Sequence, residues 1–178
     1  ILQIAPWLQG ASDTDAGDVL LWTGRGRASL WEQMRPFLVR PVTRVSAVSP
    51  YFDADFGFLR QVIRDLGSPV LLVGVEPTSS ECPHDAPLRL ADARFLDVSS
   101  LGPGWDKRLH AKIFRFEFEE GGSVVVTGSA NASRSAWLTA DGGGKNRGSI
   151  SPASPSIWQT LRRWRRSCGG SSSRWALC

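Results

Sequence analysis

The stretch HAKIFRFEFEEGGSVVVTGSAN, residues 110–131, decides the fold of this chain because it holds two strand-like runs joined by turn residues. Residues 113–118 and 123–127 are rich in β-branched and aromatic side chains, which favour extended strands. Residues 119–122 read Glu-Glu-Gly-Gly, and glycines at such a place are typical of a turn between antiparallel strands. The stretch therefore predicts a β-hairpin.

The register of this hairpin decides which polar side chains meet. A turn centred on residues 120–121 would place His110 opposite Asn131 and Lys112 opposite Ser129. Directly opposed residues share a face of a sheet, and side chains alternate along each strand, so all four would lie on one side. A slip of one residue would separate them.

A helix start is predicted beside the same four side chains. Residues 132–138 read as a short helix that opens straight after Asn131. The free N–H groups of a helix start attract anions. The sequence thus predicts a phosphate site at this end of the hairpin.

These residues resemble the signature of the phospholipase D superfamily, which is His-x-Lys, then an Asp after four residues, then Gly-Ser-x-Asn. The acidic position is occupied by Glu117, and ten residues separate it from the glycine, more than in the compact motif. By strict alternation Glu117 points away from the His110 face, so we expect a structural role for it. The matching positions are His110, Lys112, Gly128, Ser129 and Asn131.

The resemblance implies a mechanism. Members of the superfamily attack phosphorus with a neutral imidazole and form a phosphohistidine, while a second His from a paired motif protonates the leaving oxygen. His110 would be the nucleophile. Lys112 and Asn131 would bind the non-bridging phosphate oxygens, and Gly128 and Ser129 would complete the phosphate site. This mechanism requires no metal ion and no other cofactor.

The chain contains a single His-x-Lys. Its other histidine, His84, has Ala86 where the Lys should be, and we interpret it as a loop residue. The missing acid would come from a second copy in a homodimer, from sequence upstream of Ile1, or from nowhere.

Upstream of the hairpin the sequence predicts alternating strands and helices. Residues 45–48 and 70–75 are strand-like, and between them a helix is predicted from about Ala54 to Leu66, capped by Asp53 and ended by Gly67. This β-α-β unit predicts a parallel crossover. The predicted apolar face of the helix consists of Phe56, Leu59, Ile63 and Leu66.

The resemblance extends over residues 44–138. Residues 95–98 predict a further strand, and residues 49–53, Ser-Pro-Tyr-Phe-Asp, resemble the first strand and helix of a phospholipase-D-like half, with Tyr51 and Phe52 expected to pack rather than to bind. The implied fold is α/β, a mixed β-sheet flanked by helices, and one half of an arrangement that usually has two.

Domain boundaries follow from the same reading. Residues 42–141 are predicted to form the phospholipase-D-like domain. Residues 1–41, with a short helix at 29–38 between loops, are interpreted as a connector or as the end of a preceding half.

The tail, residues 142–178, holds seven basic and no acidic residues; the net charge of +4 then leaves −3 for residues 1–141. Its interleaved Trp158, Trp164 and Trp175 could stack on bases beside a nucleic-acid backbone. Its Ser, Gly and Pro content equally favours disorder. A foreign tail, such as one from a shifted reading frame, is a third interpretation, because no strand or helix is convincing there.

Composition limits the remaining classes. The chain has 178 residues with 42% hydrophobic content, ordinary for a globular domain, and its longest apolar runs are far below the roughly 18 residues of a bilayer helix. Cys82, Cys168 and Cys178 show no Cys-x-x-Cys spacing, so neither a disulfide framework nor a zinc site is indicated. We expect a reducing, cytoplasmic location.

Three functions remain. The preferred one is a metal-independent phosphodiesterase that acts on nucleic acid, that is, a nuclease. A phosphodiesterase that acts on phospholipid is the second, and an inactive or truncated module that binds phosphate or nucleic acid is the third.

Overall fold

The computed structural model describes residues 19–23, 26–90, 93–99, 110–140 and 147–152. These residues form a seven-stranded sheet with the strand order β1-β7-β6-β5-β2-β3-β4. Strands β2, β3 and β4 run parallel to one another, and every other neighbouring pair is antiparallel. The strands are β1 (Val19–Trp22), β2 (Val42–Val48), β3 (Val70–Val75), β4 (Ala93–Asp97), β5 (Ile113–Phe118), β6 (Ser123–Gly128) and β7 (Arg147–Pro152).

Four short α-helices connect these strands within the described residues. The first is fixed by a capping box, in which Ser29 Oγ accepts from Glu32 N and the Glu32 carboxylate accepts from Ser29 N. A 3-10 turn, Arg35–Phe37, continues it. The helices are α1 (Leu30–Met34), α2 (Gly57–Asp65), α3 (Ala86–Arg89) and α4 (Arg134–Trp137).

The core lies on one face of the sheet, where alternate strand residues point toward the helices. Phe58 of α2 stacks on Trp137 of α4 with ring centroids 4.7 Å apart, and Phe114 of β5 meets the same indole edge-on at 4.7 Å. Such aromatic pairs add to the free energy gained from burying their area. Further buried side chains of this face are Trp31, Met34, Val45, Ala47, Leu71, Val73 and Phe116.

The strand predictions are largely confirmed. Strands β3 and β5 have the predicted bounds, while β2 begins three residues earlier than predicted and β6 ends one residue later. Strands β2 and β3 are parallel, as the β-α-β pattern predicts.

The start of α2 was predicted wrongly. The helix begins at Gly57 rather than near Ala54, because Phe56 has a left-handed backbone with φ 54° and cannot continue a helical turn. Asp53 still caps it, since its Oδ2 accepts from Phe58 N at 3.0 Å. The fully buried helix residues are Phe58, Leu59 and Val62, whereas the predicted Ile63 and Leu66 are half-buried.

The predicted hairpin register is wrong by one residue. Phe114 pairs with Val126 and Glu117 with Ser123, so Lys112 continues the ladder opposite Gly128 instead of Ser129. The cause is the turn: Gly121 N donates to Phe118 O, and Phe118 N donates to Gly122 O. Three residues therefore stand between the paired residues Phe118 and Gly122, where the prediction assumed two.

The sheet extends beyond the predicted domain at both ends. Strand β1 and helix α1 precede Val42, yet Leu21, Leu30 and Trp31 are part of the core. Strand β7 follows residue 141 and pairs with both β1 and β6. The sheet therefore reaches beyond the predicted boundaries at 42 and 141, and residues 147–152 form a strand rather than a disordered segment. The foreign origin of the tail stays a prediction. A strand of such polar composition forms because two neighbours satisfy its backbone hydrogen bonds.

Candidate functional site

Three chain segments meet at one edge of the sheet. Strand β2 ends at Val48, opposite Ile113, and Ile113 is also opposite Thr127 near the end of β6. Because β5 is antiparallel to both neighbours, the residues before it adjoin the residues after β2 and β6. The predicted phosphate-binding residues all belong to these segments, but the observed register does not pair His110 with Asn131 or Lys112 with Ser129, as was predicted.

His110 and Lys112 are in direct contact. Lys112 Nζ lies 3.1 Å from His110 Nε2 and donates to His110 O at 3.0 Å. An ammonium group only donates, so this contact is a hydrogen bond in the tautomer that has the lone pair on Nε2 and the ring proton on Nδ1. His110 is an exposed residue.

Lys112 is buried, with 7% of its surface exposed. Burial lowers the pKa of its ammonium below the ordinary lysine value, because the charged form loses solvation. The side chain lines a cavity of about 10 Å³, enough for roughly one water molecule, together with Gly128, Ala130 and Trp137. A cation held in so little solvent interacts strongly with any anion that reaches it.

The Gly-Ser-x-Asn segment follows β6 at the same edge. Gly128 ends the strand, Ser129 is exposed, and Ala130 is buried beside Lys112. Asn131 is half-buried, and its Oδ1 is a buried atom that has no hydrogen-bond partner among the described residues.

The helix predicted to start at residue 132 starts two residues later, and its first N–H group already binds a carboxylate of the same chain. Helix α4 begins at Arg134 and has four residues. Arg134 N donates to both carboxylate oxygens of Asp53, at 3.0 and 2.9 Å. The expected contribution of free helix N–H groups to anion binding is thus wrong, because a carboxylate of the same chain already binds there.

Glu117 lies on the opposite face of β5 from Lys112, since their positions differ by an odd number. Its carboxylate forms ion pairs with Arg44 at 3.2 Å and with Arg115 at 3.3 Å. The structure therefore places Glu117 away from the His110–Lys112 pair.

Two residues of this edge were missed by sequence reasoning as parts of the site. Ser49 is fully buried, and its Oγ accepts from Ala132 N at 3.0 Å. Asp53 was predicted only as the cap of α2, yet it also binds α4. The sequence gives no signal for either contact, because 83 and 81 positions separate the partners.

Other predicted features lie elsewhere. His84 is exposed in the loop before α3. Trp158, Trp164 and Trp175 of the tail lie outside the described residues. In the part of the chain that the structure describes, no group of three His, Cys, Asp or Glu side chains could hold a metal ion. The same part contains no helix long and apolar enough to cross a membrane.

Comparison with known proteins gives structural relatives only. No family model matches the sequence, and no curated protein matches it either. NucT from Helicobacter pylori superposes with a TM-score of 0.52 at 10% identity, over 85% of this chain and 95% of that chain. The fold of this chain is therefore similar to that of NucT.

Two further solved structures are similar at lower scores. Nuc from Salmonella typhimurium, described as a phospholipase D family member, has a TM-score of 0.48 at 12% identity, over 84% of this chain and 93% of that chain. Yeast tyrosyl-DNA phosphodiesterase has a TM-score of 0.49 at 14% identity, over 76% of this chain. This chain spans about a third of the yeast enzyme's length, the covered share being 32%.

Proposed function

We propose that this chain, whose described residues have a phospholipase-D-like fold, is one half of a metal-independent phosphodiesterase that acts on nucleic acid. The observation that carries the proposal is the contact between the buried Lys112 ammonium and His110 Nε2, 3.1 Å apart. It joins a nucleophile to a phosphate-binding cation at the edge where Gly128, Ser129 and Asn131 also lie.

His110 has the properties that the first chemical step needs. Its Nε2 carries a lone pair in this contact, and the residue is exposed to an incoming substrate. Nε2 attacks phosphorus and forms an N–P bond while the P–O bond to the leaving group breaks. Water then attacks the phosphohistidine, the N–P bond breaks, and His110 is regenerated.

Lys112 and Asn131 serve the phosphate in this scheme. When a phosphate oxygen replaces the imidazole as the partner of Lys112, the buried ammonium stabilises the charge that develops in the transition state. Asn131 donates from its amide nitrogen, because an amide oxygen cannot donate to a phosphate oxygen. Ser129, which is exposed, adds its hydroxyl and neighbouring amide.

The leaving oxygen must receive a proton from a second imidazole. The chain has two histidines, and His84 is an exposed residue of the loop before α3 with Ala86 where a Lys would complete a second motif. The acid therefore comes from a second half, for which a second copy of the chain or upstream sequence are the two sources. After the first step this imidazole accepts a proton from the attacking water.

Nucleic acid is the proposed substrate because the chain carries seven basic residues and interleaved tryptophans after residue 141. A phospholipid substrate and a binding module without turnover are the alternatives that the experiment distinguishes.

The test is hydrolysis of a single-stranded oligonucleotide in excess chelator, followed by acid quench and mapping of labelled phosphate on the protein. We expect turnover and a label on His110. His110→Ala should lose several powers of ten in rate because the nucleophile is gone. His84→Ala is the matched control and should retain full activity.

Three outcomes would contradict parts of the proposal. Undiminished turnover by His110→Ala would exclude His110 as nucleophile. Hydrolysis of phosphatidylcholine vesicles without hydrolysis of the oligonucleotide would reverse the substrate. If the protein binds phosphate but hydrolyses neither substrate at any protein concentration, it is a binding module and not an enzyme of this kind.

A further inference from the structure

We infer that Ser49 is a positioning residue of the proposed phosphate site, and that it acts by fixing the backbone that carries Asn131. This role of Ser49 rests on the proposed function, because it presupposes a phosphate site at Asn131. The hydrogen bonds of Ser49 do not depend on that function. Ser49 is the first residue after β2 and has 0% of its surface exposed.

The Ser49 hydroxyl serves two chain segments at once. Its Oγ accepts from Ala132 N at 3.0 Å, and Ala132 follows Asn131 directly. The same Oγ donates to Tyr51 O at 2.9 Å and accepts from Tyr51 N at 3.3 Å. One proton and two lone pairs are thereby all used, so the hydroxyl has a single orientation.

The residues beside Ser49 hold the same segment. Phe52 and Ala132 form a parallel bridge, and Asp53 accepts from Arg134 N. The chain after Asn131 is thus held by backbone hydrogen bonds at two positions, Ala132 and Arg134. Asp53 sets the start of α4, whereas Ser49 binds the peptide next to the proposed ligand residue.

The effect on Asn131 follows from the position of this bond. The Ser49 bond is made to the N–H of the peptide that links Asn131 to Ala132. Fixing that peptide limits the backbone rotation of Asn131 and so the place of its amide nitrogen. A preorganised donor stabilises phosphate charge better than one that must be ordered on binding.

The inference is tested with ¹⁵N-labelled full chain by measuring hydrogen exchange of the Ala132 amide and the shift of the Asn131 side-chain amide during titration with inorganic phosphate. Asn131→Asp identifies the side-chain signal. In Ser49→Ala we expect Ala132 exchange to rise on the order of tenfold and the phosphate Kd to rise by a similar factor. Ser49→Thr keeps the hydroxyl and should restore both.

Ser80→Ala is the matched control. Ser80 Oγ also accepts a backbone N–H, that of Glu76, at 3.0 Å, but the bond lies within the loop after β3. We expect Ser80→Ala to lose about as much stability as Ser49→Ala but to leave the Asn131 side-chain amide signal unchanged. If Ser49→Ala does not fold, Ser49→Cys has nearly the same volume and replaces the hydroxyl by a poor hydrogen-bonding group.

The outcomes separate the two proposals. Unchanged Ala132 exchange and unchanged Asn131 signals in a folded Ser49→Ala protein would overturn the role of Ser49. If phosphate leaves the wild-type Asn131 signal unmoved, the proposed function fails at that residue. The role of Ser49 is then judged by Ala132 exchange and by the unliganded Asn131 signal.

Discussion

The arrangement at the scale of single residues is set by the burial of Lys112. An ammonium group in the apolar surroundings of Phe114, Ala130 and Trp137 loses solvation, which its two contacts to His110 restore only in part. A group that is costly to bury and is placed beside a histidine is typical of a functional site. Burying the Lys112 ammonium lowers the free energy of unfolding, but it leaves a poorly solvated positive charge at the place where the proposed chemistry binds phosphate.

We therefore expect Lys112→Met to keep or raise the free energy of unfolding, by up to about 1 kcal/mol at pH 7, and to abolish phosphate binding. The lowered pKa also fixes a pH dependence, since the unfolded chain binds this proton more tightly than the folded chain. Wild-type stability should rise with pH between the folded pKa and 10.5, and the variant should lack this rise.

Urea unfolding of both proteins from pH 7 to pH 10.5 measures this difference, and far-UV circular dichroism confirms that the variant is folded. A variant less stable than wild type by more than about 1 kcal/mol at pH 7, with the gap shrinking as pH rises toward 10.5, would show that the ammonium contributes net stability.

At the scale of elements, the β5–β6 turn determines which side chains share a face. Gly121 and Gly122 both have positive φ, 88° and 79°. This conformation admits a third loop residue and so shifts the register by one. Alternation along β5 puts Lys112 on the face of Phe114 and Phe116, which is the core face, and the register decides which residues at the end of β6 lie beside it.

The turn gives a prediction of its own. Gly121→Ala should lower the free energy of unfolding by about 1 to 2 kcal/mol, because an L residue other than Asn or Asp is strained at this φ. Apart from Gly121 itself and its two chain neighbours, no atom lies within 4 Å of the position of an added Cβ, so the loss comes from the local backbone and not from a clash with other residues. Gly121→Asn is the control and should lose less. Equal losses in urea titrations of the two variants would contradict the conformational explanation.

At the scale of the whole molecule, the sheet supplies one His-x-Lys and hence one of the two imidazoles that the proposed mechanism uses. A second copy of the chain is one of the two proposed sources of the other imidazole.

We expect the protein to form a homodimer, and its turnover per chain to rise with concentration in step with the dimer fraction. Sedimentation equilibrium and oligonucleotide hydrolysis over the same concentration range test this, with the His84→Ala protein as a control that should behave like wild type. Full activity of a protein that stays monomeric throughout would contradict the composite site.

The sequence by itself determined the strands, the hairpin and the β-α-β unit, because each depends on residues near in the chain. Alternation and glycine placement are local properties, and they predict local structure well. The same reasoning also put Glu117 on the other face of β5 from Lys112.

Only the tertiary structure decided the rest. The insertion of β7 between β1 and β6 depends on backbone bonding to strands distant in sequence, and its own residues carry little pattern. The Ser49–Ala132 and Asp53–Arg134 bonds join residues 83 and 81 positions apart. Such contacts form only when the folded sheet places the ends of β2 and β6 side by side. The residues around one partner carry no information about the other partner.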